Sequence, residues 1–300
     1  MIKDFNGRTA VLTGAASGFG LECARIAAAR GMNLVLVDIQ QAPLDRARQE
    51  LESAGAQVLA RVVDVSNGAA MEALASAVAE RFGAPAFVFN NAGVAASGLV
   101  WDNSVADWEW VLGVNLWGVI HGVRLFAPMM LAEAARDASY RGHITNTASM
   151  AGLLAPPNMG MYNAAKSAVV SLTETLYHDL GLLTDQIGAS VLCPYFVPTG
   201  IAHSERYRPP GQSDARPTKS QLIGQAMSEK AVASGRVTAA DIAGKVFAAI
   251  EENQFYIYSH PKALTNVERR TDAMLAGANP PDPFAERPQV RADLQAQLRD

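Results

Sequence analysis

The 300-residue chain has two cysteines, five histidines and no long block of like charge, and each shortage removes a class of function. Cys23 and Cys193 belong to no Cys-x-x-Cys or Cys/His spacing, so both are expected to be core thiols, one on a helix and one on a buried strand. His121, His143, His178, His203 and His260 lack the i, i+4 pairing of a helical metal site, and no metal is expected. A net charge of −4 without a basic block gives nucleic acid or anionic lipid no face to grip. The first residues, 1–7, lack the apolar run of a signal peptide, and no stretch reads as the roughly 20 apolar residues that span a bilayer; the expected location is cytoplasmic.

What the chain does have is apolar material in short bursts. Hydrophobic residues make up 49% and charged residues 18%, enough to cover a sheet on both faces. Runs at 8–13, 33–37, 57–63, 86–90, 143–147, 190–194 and 255–258 are β-branched or apolar and bounded by turn residues, as buried parallel strands are. Between them, segments near 18–30, 43–54, 69–82, 104–133 and 161–183 carry helical spacing, with start signals at Ser66, Ser104 and Pro43. Alternating strands and helices imply a Rossmann-type, doubly wound α/β fold: a seven-stranded, mainly parallel sheet with helices on both faces.

Past Pro194 the rhythm breaks. Pro198, Pro209, Pro210 and Pro217 interrupt a segment of the length reserved for lids or binding loops. Helical pattern resumes at 218–233 and 238–252. The expected organisation is one domain over 1–260, with a lid at about 198–235, and a helical extension over 261–300 that holds a proline cluster at 279–283 and a charged helix ending at Asp300.

The run at 9–13 leads into Gly14-Ala-Ala-Ser-Gly18-Phe-Gly20 and then a helix. Glycines there let the backbone approach a pyrophosphate while the helix N-terminus faces its charge, although such glycines alone also fit an ordinary tight turn. Asp38 ends the second strand, where a carboxylate accepts hydrogen bonds from the adenosine ribose. A 2′-phosphate would meet like charge there, and Ser17 and Ile39 stand where an NADP site supplies Arg or Lys, so NAD is favoured over NADP.

Tyr162 and Lys166 are four apart on one helix face, and a neighbouring ammonium stabilises a phenolate whose ordinary pKa, about 10, is too high for proton transfer at neutral pH. Helices contain such pairs by chance. Ser149, however, follows the 143–147 strand at the carboxyl edge, where its hydroxyl can bond a substrate oxygen. Asn115, polar among apolar neighbours, reads either as part of this site or as a satisfied core amide.

Together, Thr13-Gly-x3-Gly-x-Gly20, Asp38, Asp64-Val65, Asn90-Asn-Ala-Gly93, Asn115, Ser149, Tyr162-x3-Lys166 and Pro194-x4-Thr199 resemble the short-chain dehydrogenase/reductase family over about residues 5–258. The resemblance implies a nicotinamide-dependent oxidoreductase acting between a secondary alcohol and a ketone. Tyr162 is then the general acid/base, Lys166 lowers its pKa and holds the nicotinamide ribose, Ser149 positions the substrate oxygen, and Asn115 holds a relay water. Gly14, Ser17, Gly18, Phe19 and Gly20 wrap the pyrophosphate; Asp38 and Ile39 meet the ribose, Asp64 and Val65 the adenine, Asn91, Ala92 and Gly93 the adenosine side, and Pro194, Val197 and Thr199 the nicotinamide.

Two positions depart from the family pattern. Phe19 replaces a smaller aliphatic residue, and Tyr195 replaces a glycine and is expected to narrow or reshape the substrate pocket. That pocket is assigned to Val94, Ala95, Met150, Met159 and Tyr195, mostly apolar, which favours a hydrophobic or aromatic alcohol. His203, Arg206 and Arg208 in the lid fit either a carboxylate site or solvated side chains. The helices carrying Trp108, Trp110 and Trp117 and spanning 161–183 match the family's dimer faces, so a homodimer or homotetramer is expected. The competing readings are an NADP-linked carbonyl reductase and a non-catalytic dinucleotide-binding sensor.

Overall fold

A computed structural model describes residues 1–209 and 216–299; Pro210 and Asp300 lie outside the described residues. Seven strands, β1 (Thr9–Thr13), β2 (Asn33–Asp38), β3 (Val58–Val62), β4 (Phe87–Asn90), β5 (Gly142–Thr147), β6 (Ile187–Cys193) and β7 (Tyr256–Tyr258), form one sheet in the order β3-β2-β1-β4-β5-β6-β7. All pairings are parallel. The order reverses between β1 and β4, and a ligand crevice opens beyond the strand ends at such a switch point.

Strand period two sorts the core into two layers. Val11 pairs with Val35 on one side and Val88 on the other, and these join Ile144 and Phe126 on the face covered by α3 (Gly68–Phe82), α5 (Gly118–Arg136) and α7 (Gly160–Leu183). Leu12, Leu34 and Phe87 point to the opposite face, under α1 (Gly18–Ala29) and α9 (Ala239–Glu252). There Phe247 meets Phe5 and Phe87 with ring centroids 5.5 and 5.6 Å apart. Burying one such ring stabilises the fold by about 1.5–3 kcal/mol.

The helix expected over 104–133 is divided. Its start is as read, with Ser104 and Asp107 in a reciprocal capping box at the head of α4 (Val105–Leu112). A π turn, Gly113–Trp117, then separates α4 from α5, and apolar periodicity gives no sign of this extra residue. The helical run Val105–Arg136 is also long and apolar enough to meet a bilayer-crossing criterion, contrary to the expectation that no stretch would. Its apolar residues, Val119, Phe126 and Met130, are buried within the fold, which accounts for its composition.

Other boundaries moved for local reasons. The cap of α3 is Asn67, which accepts from the Ala70 amide, whereas Ser66 is held by the Asp64 carboxylate. Helix α2 (Gln41–Ser53) starts ahead of Pro43, which sits inside its first turn. β6 begins three residues before the expected 190, and a short helix not foreseen, α6 (Met150–Leu154), follows β5. Within the expected lid lie a 3-10 segment, Gly200–Tyr207, and α8 (Lys219–Ala233), capped by Thr218 and Gln221. In the C-terminal segment α10 (Leu264–Leu275) packs on α6, with Arg270 donating to the Leu153 carbonyl, and α11 (Pro288–Arg299) reaches α8.

Candidate active site

The glycine turn after β1 is dictated by space. Gly14 has φ +65°, and a Cβ there would lie 3.0 Å from the Asn91 amide and 3.1 Å from Ala92. A Cβ on Gly20 would sit 2.2 Å from the Gly14 carbonyl oxygen. Thr13 ties this turn to the loop after β4, its Oγ1 accepting from the Asn91 and Ala92 amides at 2.8 and 3.0 Å. Ser17 heads α1 without capping it, so the amides of that helix end stay available to an anion in the cleft. Asp38 closes the other side: Oδ2 accepts from Ala16 N and Oδ1 from Gln40 N, both at 3.0 Å, which orients the carboxylate and leaves each oxygen further acceptor capacity.

One cleft runs from this turn to Tyr162 and Lys166. Gly14, Ser17, Gly18, Phe19, Asp38, Ile39, Asp64, Val65, Asn91, Ala92, Gly93, Pro194 and Thr199 all line it. Gly20 and Val197 do not; Gly20 stands behind Gly14, and Val197 is buried in the hydrophobic layer containing Leu12 and Leu192. The wall is therefore largely a strip of backbone and small side chains, with the carboxylates of Asp38 and Asp64 toward one end and the Lys166 ammonium at the other. Those features fit a nicotinamide dinucleotide.

At the far end, β5 delivers Thr147 and Ser149 while α7 delivers Tyr162 and Lys166. Ser149 caps α6, its Oγ accepting from Ala151 N at 3.1 Å and donating to the Pro194 carbonyl at 3.4 Å. Burial pushes the Tyr162 phenol above its ordinary value, and its hydrogen bond with Ser149 pulls the other way. Lys166 is buried, its Nζ donates to the Thr147 carbonyl at 2.8 Å, and it lies 5.8 Å from the Tyr162 ring centroid. Desolvation brings Lys166 down to about 8. Burial thus outweighs the Ser149 hydrogen bond at the Tyr162 phenol, while the Lys166 ammonium stands beside the ring and is bonded to the Thr147 carbonyl.

Asn115 is a satisfied buried amide. Its Oδ1 accepts from Val94 N and its Nδ2 donates to Val94 O, both at 2.8 Å, so its side chain clamps the loop after β4, and each of these atoms keeps one further hydrogen-bonding position. The π turn aims it there.

Of the expected pocket residues only Val94 lines the cleft. Met150 is fully buried among Val119, Ala148 and Val169. The Ala95 amide donates to Ser204 Oγ, and Met159 bridges to Gly98. The Tyr195 ring turns outward against Phe196 and His260 and does not narrow the cleft. His203 pairs with Glu229, Arg206 contacts Tyr207, and Arg208 pairs with Asp107 and Glu205, so none of the three lines the cleft. Sequence reasoning missed Trp110, Val114, Ile201 and Tyr207, which do. Trp110, read as part of a dimer face, is buried beside the cleft, whereas Trp117 is exposed.

Comparison with known proteins agrees with this geometry. A family model described as short chain dehydrogenase matches residues 8–209. A "CLA biosynthesis dehydrogenase/reductase" of Lactiplantibacillus plantarum is 34% identical over 93% of this chain and 97% of its own length. A "C alpha-dehydrogenase" of a Sphingobium species is 31% identical over 100% of this chain and 96% of its own length. The crystal structure of a short chain dehydrogenase/reductase from Burkholderia phymatum in complex with NAD superposes with a TM-score of 0.91 at 50% identity, covering 95% of this chain and 100% of that one.

Proposed function

The chain belongs to the short-chain dehydrogenase/reductase family, and from that premise we propose that it is an NAD(H)-dependent oxidoreductase interconverting a secondary alcohol and a ketone on a hydrophobic or aromatic substrate. One observation carries the reading: Ser149, Tyr162 and Lys166 converge at the end of a cleft whose other end holds the glycine turn and Asp38. A bound nicotinamide supplies the hydride acceptor or donor. Ser149 donates its hydroxyl hydrogen to the substrate oxygen, fixing it beside the Tyr162 phenol. In oxidation the phenolate form of Tyr162 takes the alcohol proton; in reduction the phenol returns one to the carbonyl oxygen. Lys166, charged at neutral pH, favours the phenolate and holds the ribose.

Asp38 supports NAD over NADP, since no Lys or Arg lines that end of the cleft among the described residues. Val94, Ala148 and Ile201 support an apolar substrate. Exposed Trp117, Tyr177, Leu182 and Leu183 on α5 and α7 and the turn between α4 and α5 support a homodimer or homotetramer. The same reading takes 1–260 as the catalytic domain and 261–300 as its helical extension.

The test is NADH absorbance with a panel of aliphatic, alicyclic and aryl secondary alcohols, with Tyr162→Phe beside the wild type. We expect turnover with some of the alcohols, a loss of roughly 10²-fold or more in the variant, and NAD binding intact in both. Turnover that survives in the variant removes Tyr162 from its role.

A further inference from the structure

The missed residues share a mounting. Trp110 and Tyr207 line the cleft and, with Ile39 and Asp64, a second opening beside its adenosine end. They come from distant elements, α4 and the end of the 3-10 segment, yet one ion pair links the two. Asp107, one turn before Trp110, pairs through Oδ1 with Arg208 Nη1 at 2.8 Å, and Arg208 follows Tyr207 directly. The Arg208 guanidinium also lies over the Trp110 ring, 4.3 Å from its centroid, and its Nε donates to Glu205 at 2.9 Å. The other oxygen, Oδ2, accepts from Ser104 N and Oγ at 2.8 Å each and from Gln221 Nε2 at 3.3 Å. Gln221 in turn caps α8 by accepting from Thr218 N. Two points of the chain, on either side of residues 210–215, therefore end on a single carboxylate.

Both Asp107 and Arg208 are about nine-tenths shielded from solvent, so this is not a loose surface pair. The guanidinium is planar and is fixed at once by charge and by the indole face, which a lysine cannot reproduce. An adenine ring is a flat π surface that aromatic side chains cover well.

We infer that Trp110 and Tyr207 form an aromatic cover for the adenine of the bound dinucleotide, and that Asp107, through Arg208, is the positioning residue that holds the cover and slows cofactor release. The inference rests on the dinucleotide reading proposed above. Retention by such a cover acts mainly on the dissociation rate.

The experiment is stopped-flow release of NADH, followed by its own fluorescence on mixing with excess NAD, in wild type, Tyr207→Ala, Arg208→Gln, Arg208→Lys and Asp107→Asn. Thermal melts show which variants are folded. Arg208→Gln and Tyr207→Ala are expected to release NADH about tenfold faster, with Arg208→Lys in between; Asp107→Asn, which keeps an oxygen for Ser104, follows Arg208→Gln. Release within twofold of wild type in folded Tyr207→Ala and Arg208→Gln overturns the inference and leaves the dinucleotide reading standing. A wild type that does not hold NADH overturns both.

Discussion

Asn115 and Val94 exchange two hydrogen bonds, 2.8 Å each, between a side-chain amide and a backbone amide, which locks the loop after β4 to the π turn. Both residues are buried, so neither half of the pair can turn to water instead. Asn115→Ala leaves the Val94 N–H and C=O without partners, and the expected loss is about 2–4 kcal/mol, read by urea denaturation. Asn115→Asp turns a carboxylate oxygen toward the Val94 carbonyl and is expected to lose at least as much.

Lys166 gives stability a dependence on alkaline pH. Its folded pKa, about 8, lies below the ordinary 10.5, so between these values the unfolded chain binds the additional proton. The burden of the buried ammonium is full below about pH 8 and is relieved as pH rises toward 10.5. Lys166→Met is expected to remove a rise on the order of a few kcal/mol across that window, measured by denaturation at several pH values, together with most of the activity.

His143 acts at the acid end. It is fully buried, and Ser190, whose single hydroxyl hydrogen goes to the Gln254 carbonyl, must accept from His143 Nε2; Nδ1 has no partner among the described residues. Desolvation, aided by the positive N-terminus, brings its pKa down to about 3 from the ordinary 6.5. The unfolded chain is thus the more protonated from about 6.5 down to 3, and stability is lost as pH falls through that range. A His143→Gln variant is expected to unfold with a shallower dependence over the same range in acid denaturation followed by circular dichroism.

The proposed preference for NAD rests on Asp38. Asp38→Asn keeps an acceptor for the backbone but removes the negative charge, and Ile39→Arg, at a position 43% exposed on the rim, adds a cation for a 2′-phosphate. The double variant is expected to shift the NAD to NADP preference, as the ratio of kcat/KM values, by about tenfold or more toward NADP. An unchanged ratio would show that the discrimination lies elsewhere.

Much of the site was legible because its demands are local. Gly14, Gly18 and Asp38 stand at fixed offsets from a strand end, and Tyr162 and Lys166 at a helical offset, so residue type and spacing suffice to bring them to one cleft. The substrate pocket was not legible in this way. Met150 and Tyr195 are neighbours of site residues in the chain, but one points into the core and the other outward, and only the path of the backbone decides which.

The sequence by itself determined the seven alternating strands and the order of the motifs along them, because strand and helix periods are written residue by residue. Tertiary structure decided the π turn that aims Asn115, the inward placement of Trp110 and the meeting of Asp107 with Arg208 and Gln221. Those contacts join residues about a hundred positions apart, and their geometry depends on how whole elements pack, which no local pattern encodes.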